Sequence, residues 1–152
     1  QVGIASMSPT ELTVDALTPF TIDLTWIHPE RWRLLDEIEF RIVDRYGLVA
    51  MWVKFDENGN ELPFRQYHPL LRRYGDPALP GSNAVFKTIF AKMFVAVSLV
   101  VGSGPTGPSA TVKPSLQFNR LARGRTFRVE LFVSDDLGNQ QGWEHVGNIS
   151  VR

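Results

Sequence analysis

"TFRVELFVSDDLGN", residues 126–139, alternates apolar and polar side chains more strictly than any other stretch of the chain. Phe127, Val129, Leu131 and Val133 fall on one side of an extended backbone, and Arg128, Glu130 and Ser134 on the other. That is the pattern of an antiparallel strand with one face on a core. Asp135 to Asn139 follow with the residues of a turn. A half-buried strand needs partners of its own kind, and the flanking sequence supplies them. "FTIDLTWIH" sets Phe20, Ile22, Leu24 and Trp26 against Thr21, Asp23 and Thr25. "DEIEFRIVD" carries Ile38, Phe40 and Ile42 inward, and "VAMWVKFDE" does the same with Val49, Met51, Val53 and Phe55. Weaker strands are expected at 11–15, 62–67, 88–95, 109–118 and 145–151.

Residues 29–46 admit a second reading. Pro29 at a first-turn position, Leu35, Ile38, Ile42 and Tyr46 at helical spacing and Gly47 as a cap would suit a helix. The strict alternation of Ile38-Glu39-Phe40-Arg41-Ile42 opposes it, because a helix would turn Phe40 away from both isoleucines. The expectation is at most one short helical turn near 30–35, followed by a strand. "DRYG", "DENGN", "ARGR" and "DDLGN" separate the strands, and 68–87 is the least regular stretch, expected as a long loop. "DENGNE", residues 56–61, offers Asp56, Asn58 and Asn60 at calcium-like spacing. Its sixth position is Glu61 where a helix-loop-helix calcium site needs glycine, and its twelfth is Tyr67 where that site needs glutamate. Asn58-Gly59 between two alternating runs predicts the tip of a hairpin instead.

Composition bounds the rest. The 152 residues suit a single domain, 1–152, and 43% hydrophobic with 21% charged residues is a globular balance. Sixteen basic residues offset sixteen acidic ones. A nucleic-acid binder would carry a basic surplus, so no nucleic-acid partner is expected. The longest apolar run, 93–101, is far shorter than the roughly 20 residues that cross a bilayer, so no membrane insertion is expected either. The absence of cysteine removes thiolate chemistry and a disulfide framework. From Gln1 to the strand-like "NISVR", the chain reads as a piece of a longer polypeptide.

Catalytic motifs are missing. "GSGPTG", residues 102–107, has the letters of a phosphate loop, but Pro105, Pro108 and Pro114 leave no helix to receive a phosphate. His28, His68 and His145 have no metal-binding spacing. No serine has a recognisable base, and neighbouring carboxylates such as Asp135 and Asp136 point to opposite faces of a strand. "NIS" at Asn148 is a formal glycosylation sequon inside an expected strand. "ARGR", with Arg123 and Arg125, is a basic turn that could hold carboxylates or phosphates, or be merely solvated. Trp32, Trp52 and Trp143, with Tyr67 and Tyr74, are not all absorbed by the inward faces. They are the candidate ligand-binding residues, as platforms for sugars or anchors for proteins, and the alternative is that they cover edges of the fold.

With the strands placed, "GRTFRVELFVSDDLGNQQG", residues 124–142, resembles the penultimate strand and turn of bacterial immunoglobulin-like and cadherin-like modules. "SGPTGPSATVKPSLQF" and "IEFRIVDRYGLVAMWVKFDE" are similar to further segments of such modules in large surface and secreted proteins. The resemblance implies an all-β, antiparallel immunoglobulin-like β-sandwich of about 7–9 strands. It implies a non-catalytic extracellular or cell-surface module, a spacer or adhesion domain whose partners are neighbouring domains of the same polypeptide and glycans or proteins at a surface. Cadherin-like loops also bind calcium between domains, which makes Asp135, Asp136 and Asn139 the candidate calcium ligands. Two other functions stay open: a carbohydrate-binding module using the exposed aromatics, and an accessory domain appended to a secreted enzyme.

Overall fold

The computed structural model of the chain describes residues 2–57 and 62–152, and they form an all-β protein. In chain order the strands are β1 (Ile4–Ser8), β2 (Glu11–Val14), β3 (Phe20–Thr21), β4 (Asp23–Ile27), β5 (Leu35–Asp44), β6 (Val49–Asp56), β7 (Phe64–His68) and β8 (Arg73–Tyr74). They continue with β9 (Val85–Lys87), β10 (Ala91–Phe94), β11 (Leu99–Gly102), β12 (Ser109–Lys113), β13 (Ser115–Phe118), β14 (Thr126–Asp135) and β15 (Gln140–Val151). The helical turn expected near 30–35 is a single 3-10 turn, Trp32–Leu34, and the long strand β5 follows it.

Two layers result. The larger is a seven-stranded sheet in the order β2-β15-β14-β5-β6-β7-β8. Its pairs are antiparallel except β2, which runs parallel to β15 with Glu11 opposite Asn148 and Val14 opposite Val151. The facing layer is bent. Its two halves, β1-β4-β12-β11 and β3-β13-β10-β9, share three strands that continue from one half into the other. Those strands break at Ile22, at the 3-10 turn Val95–Val97 and at Pro114, whose missing N–H interrupts the ladder between β12 and β13. Strands expected as single units, such as 20–26 and 109–118, are therefore divided, and the fifteen segments among the described residues exceed the expected number.

Most inward residues of the sequence pattern make the core; Val49, expected inward, is only half-buried and Ala50 is buried instead, because the β5–β6 register shifts between Ile42 and Val43. Phe127, Val129, Leu131 and Val133 of β14 are fully buried, as are Ile38, Phe40 and Ile42 of β5 and Met51, Val53 and Phe55 of β6. Ile22, Leu24 and Trp26 meet them from the bent layer. Phe20, Phe118 and Phe127 stack in series, with centroids 5.6 and 5.0 Å apart, and tie the two layers together. The stretch 68–87 is not a structureless loop. It holds β8 and β9, and Ala78 exchanges backbone hydrogen bonds of 2.8 Å with Phe64. The hairpin tip expected at Asn58-Gly59 lies outside the described residues, although the strands that flank it, β6 and β7, do pair antiparallel.

Strand register sends the connections to two poles. At one lie 28–34, 103–108 and the 136–139 turn, and the start of β1 belongs there, since Ile4 pairs with Ile27. Val2 N–H also donates to Gln141 Oε1 at 2.6 Å beside that turn. At the other pole lie 45–48, 69–72, 88–90 and 119–125, together with the end of β15, where Thr126 pairs with Ser150. The described ends, Val2 and Arg152, thus sit at opposite poles.

Candidate functional site

Outward side chains of the seven-stranded sheet gather into an aromatic network. Trp52 on β6 lies 4.4 Å from the Tyr67 ring of β7 and 5.3 Å from the Trp143 ring of β15. Tyr67 meets Tyr74 of β8 at 4.9 Å, and Trp143 meets Phe132 of β14 at 5.4 Å. Trp143 reaches across β14 because β15 bulges there: the register slips between Leu131, opposite Glu144, and Val133, opposite Gln141. Gly142 makes the bulge. Its φ is +134°, and a Cβ would stand 2.6 Å from the Leu131 carbonyl oxygen, so only glycine fits.

Charged groups fasten these rings. Arg41 places its guanidinium 4.1 Å from the Trp143 centroid and 5.1 Å from that of Trp52. The same guanidinium holds Glu130 at 2.7 Å. Glu39, only 6% exposed, accepts from the Trp52 indole N–H at 2.8 Å and from the Tyr74 hydroxyl at 2.7 Å. Burial and this bond to Glu39 push the Tyr74 phenol well above its ordinary range, so it stays a donor. Burial likewise raises Glu37, against the pull of Lys54 at 3.2 Å. Glu39, Arg41 and Glu130 escape the sequence reading because alternation assigns them to a solvated face. The signal available is the run of tryptophan and tyrosine at outward positions, which covers that face.

The structure brings Trp52 and Trp143 together and sets Trp32 apart. Trp32 is 8% exposed, packs in the 3-10 turn and donates its indole N–H to the Gly104 carbonyl at 2.9 Å. Its ring occupies the space a side chain at Gly102 would need, since a Cβ there would stand 2.4 Å from the indole. "GSGPTG" is therefore the seat of a buried tryptophan. Trp32 covers an end of the fold and offers no open ring face for a ligand.

Asp135, Asp136 and Asn139 form a self-closed turn. Asp135 Oδ1 accepts from the backbone N–H groups of Leu137 and Asn139 at 3.0 and 2.8 Å, and Oδ2 accepts from the Asn139 amide at 2.9 Å. That amide bond, with the two backbone donors, holds the Asp135 carboxyl below its usual range. Its lone pairs are thus directed into the turn, while Asp136 is exposed beside it. Among the described residues no group of three or more His, Asp or Glu side chains is arranged to hold a metal ion. His28, His68 and His145 are in separate places: His28 Nδ1 accepts from Glu30 N–H, and His145 sits within 2.8 Å of Asn148.

Near Trp32, Arg33 pairs with the buried Glu57 at 3.0 Å. Burial lifts the Glu57 carboxyl to about 7; Arg33 opposes the rise, and Asp136, Asp36 and Asp56 add to it. No helix among the described residues is long and apolar enough to cross a membrane. The arrangement presents aromatic planes and a fixed guanidinium, which suits stacking and docking. No protein-family model matches the chain, and a search of curated proteins returns no match.

Proposed function

We propose that the chain is a non-catalytic, immunoglobulin-like β-sandwich module of a large bacterial surface or secreted protein, with a spacing or adhesive role outside the cell. Strand order is the observation that carries this reading. Taken as a variable-type immunoglobulin domain, β1, β3/β4, β5, β6, β7, β10/β11, β12/β13, β14 and β15 would fill its nine strands in chain order, with β8 and β9 as additional edge strands. One layer follows the A-B-E-D order and the other the G-F-C-C′-C″ order, with β2 added beside the last strand. The module departs from antibody domains in having no cysteine, so no disulfide bridges its layers.

The layout suits load. With the described ends at opposite poles, tension pulls β2 and β15 past each other along their length. Asn148 N–H to Thr10 C=O, Arg152 N–H to Val14 C=O and Ala16 N–H to Arg152 C=O, each 2.9 Å, lie across that line. Such bonds resist shear together, whereas a strand peeled from its end loses them one at a time.

The Trp52–Trp143 cluster favours a second reading, a carbohydrate-binding module. Sugar rings present C–H faces to indole planes, and Arg41 and Glu130 would supply polar contacts. Titration of the chain with polysaccharides, followed by tryptophan fluorescence, separates the two. The spacer reading expects no saturable change. A saturable change that Trp143→Ala abolishes would replace it with the carbohydrate-binding one.

A further inference from the structure

The pole that carries the C-terminal end of the chain is both apolar and basic. An open groove of about 610 Å³ is cut there between the β5–β6 turn, the β7–β8 turn and the β9–β10 turn. Leu48, Tyr67, Leu70, Leu71, Ile89 and Phe90 are among its walls. Leu70 is 99% exposed and Ile89 67%, so these walls stand in water. Lys87, His68 and the Tyr67 phenol are the charged or titratable groups of the lining, which includes no carboxylate. The exposed Arg72 and Arg73 follow Leu71 directly in the chain, and they and Lys87 form no ion pair with any described residue. An apolar floor with a cationic rim calls for an occupant with an apolar tip beside negative charge.

The opposite pole carries such a tip. Leu137, 88% exposed, caps the β14–β15 turn next to Asp136, and Glu30, Asp36 and Asp56 belong to the same pole, where they outnumber Arg31 and Arg33, the latter already paired with Glu57. We propose that the groove receives the Asp136–Leu137 turn of a second copy of the chain, so that copies join end to end. Leu137 would cover the walls around Leu70 and Ile89, while Arg72, Arg73 and Lys87 face the carboxylates. The contact is heterologous: each copy keeps one free groove and one free turn, and the chain of copies stays open. Because the described ends lie at these same poles, the contact deepens the serial-module reading by giving it a joint.

Sedimentation of the full chain and two surface variants tests the proposal. Arg72→Glu with Arg73→Glu spoils the groove and keeps the turn; Asp136→Lys with Leu137→Ser spoils the turn and keeps the groove. Wild type should associate increasingly with concentration, and raising salt from about 20 to about 200 mM should weaken the association about tenfold. Each variant alone should be monomeric, and their mixture should yield one-to-one dimers and nothing larger. Leu70→Ser with Leu71→Ser, at exposed positions, serves as the second groove variant should the first lose its near-ultraviolet circular dichroism. A mixture that stays monomeric, or a variant that associates with itself, overturns the proposal. So does a monomeric wild type that instead sediments with phosphatidylserine vesicles, which would assign the pole to an anionic bilayer. The result stands apart from the polysaccharide titration, which reads the aromatic face.

Discussion

Burial makes ionisation of the Glu57 carboxyl costly in the folded chain. Its carboxyl titrates near 7 when folded and near 4.5 when unfolded, chiefly because it is buried. Between those values the folded state holds a proton that the unfolded state has released, so stability falls as pH rises from about 4.5 to about 7. Above that window the full cost is present, and below it the cost vanishes. Glu57→Gln removes the titration. Relative to wild type, the variant should gain about 1–2 kcal/mol between pH 4.5 and pH 8, a figure reduced for solvent around the half-exposed Arg33. Thermal melts at both pH values read the difference, and a gap between the two proteins that does not change with pH would contradict it. Glu57 is invisible in the sequence, since Asp36 and Asp136 reach it from other elements. The same applies to Trp32, whose seat at Gly102 and Gly104 is separated from it by some 70 residues.

Alternation in β14, β5 and β6 is legible because one face of each strand meets a core and the period of two holds through the middle of each; it breaks where the register shifts, between Ile42 and Val43 and between Ser134 and Asp135. Breaks within a strand are less legible. Pro114 divides β12 from β13, but nothing local in "VAVS" announces the 3-10 turn that divides β10 from β11. β1 and β11 escape the reading because each lies at a sheet edge, where exposed side chains blur the pattern. Between the layers, the stacked rings of Phe20, Phe118 and Phe127 carry a prediction. Phe118 is buried and contacts both neighbours, so Phe118→Ala should cost about 3–5 kcal/mol. It should appear as a lower urea midpoint with an unchanged slope. A loss below about 1 kcal/mol would mean that the layers are joined elsewhere.

Across the whole molecule, equal numbers of acidic and basic residues conceal a separation of charge. Arg45, Arg72, Arg73 and Lys87 lie toward one pole, and Glu30, Asp36, Asp56 and Asp136 toward the other. Net charge, the quantity that composition provides, averages this away, because which connections share a pole is decided by strand order. The proposed spacing role depends on that same order, which sets β2 against β15 along the line between the chain ends. Force spectroscopy addresses it directly. With no native cysteine, Leu137→Cys gives a single handle at the pole where the chain begins. Pulled through its two ends, the chain should rupture at a higher force than when pulled between its N-terminus and position 137. The first geometry shears the β2–β15 ladder and the second peels strands from one pole. Equal forces, or a weaker end-to-end geometry, would contradict a load-bearing module.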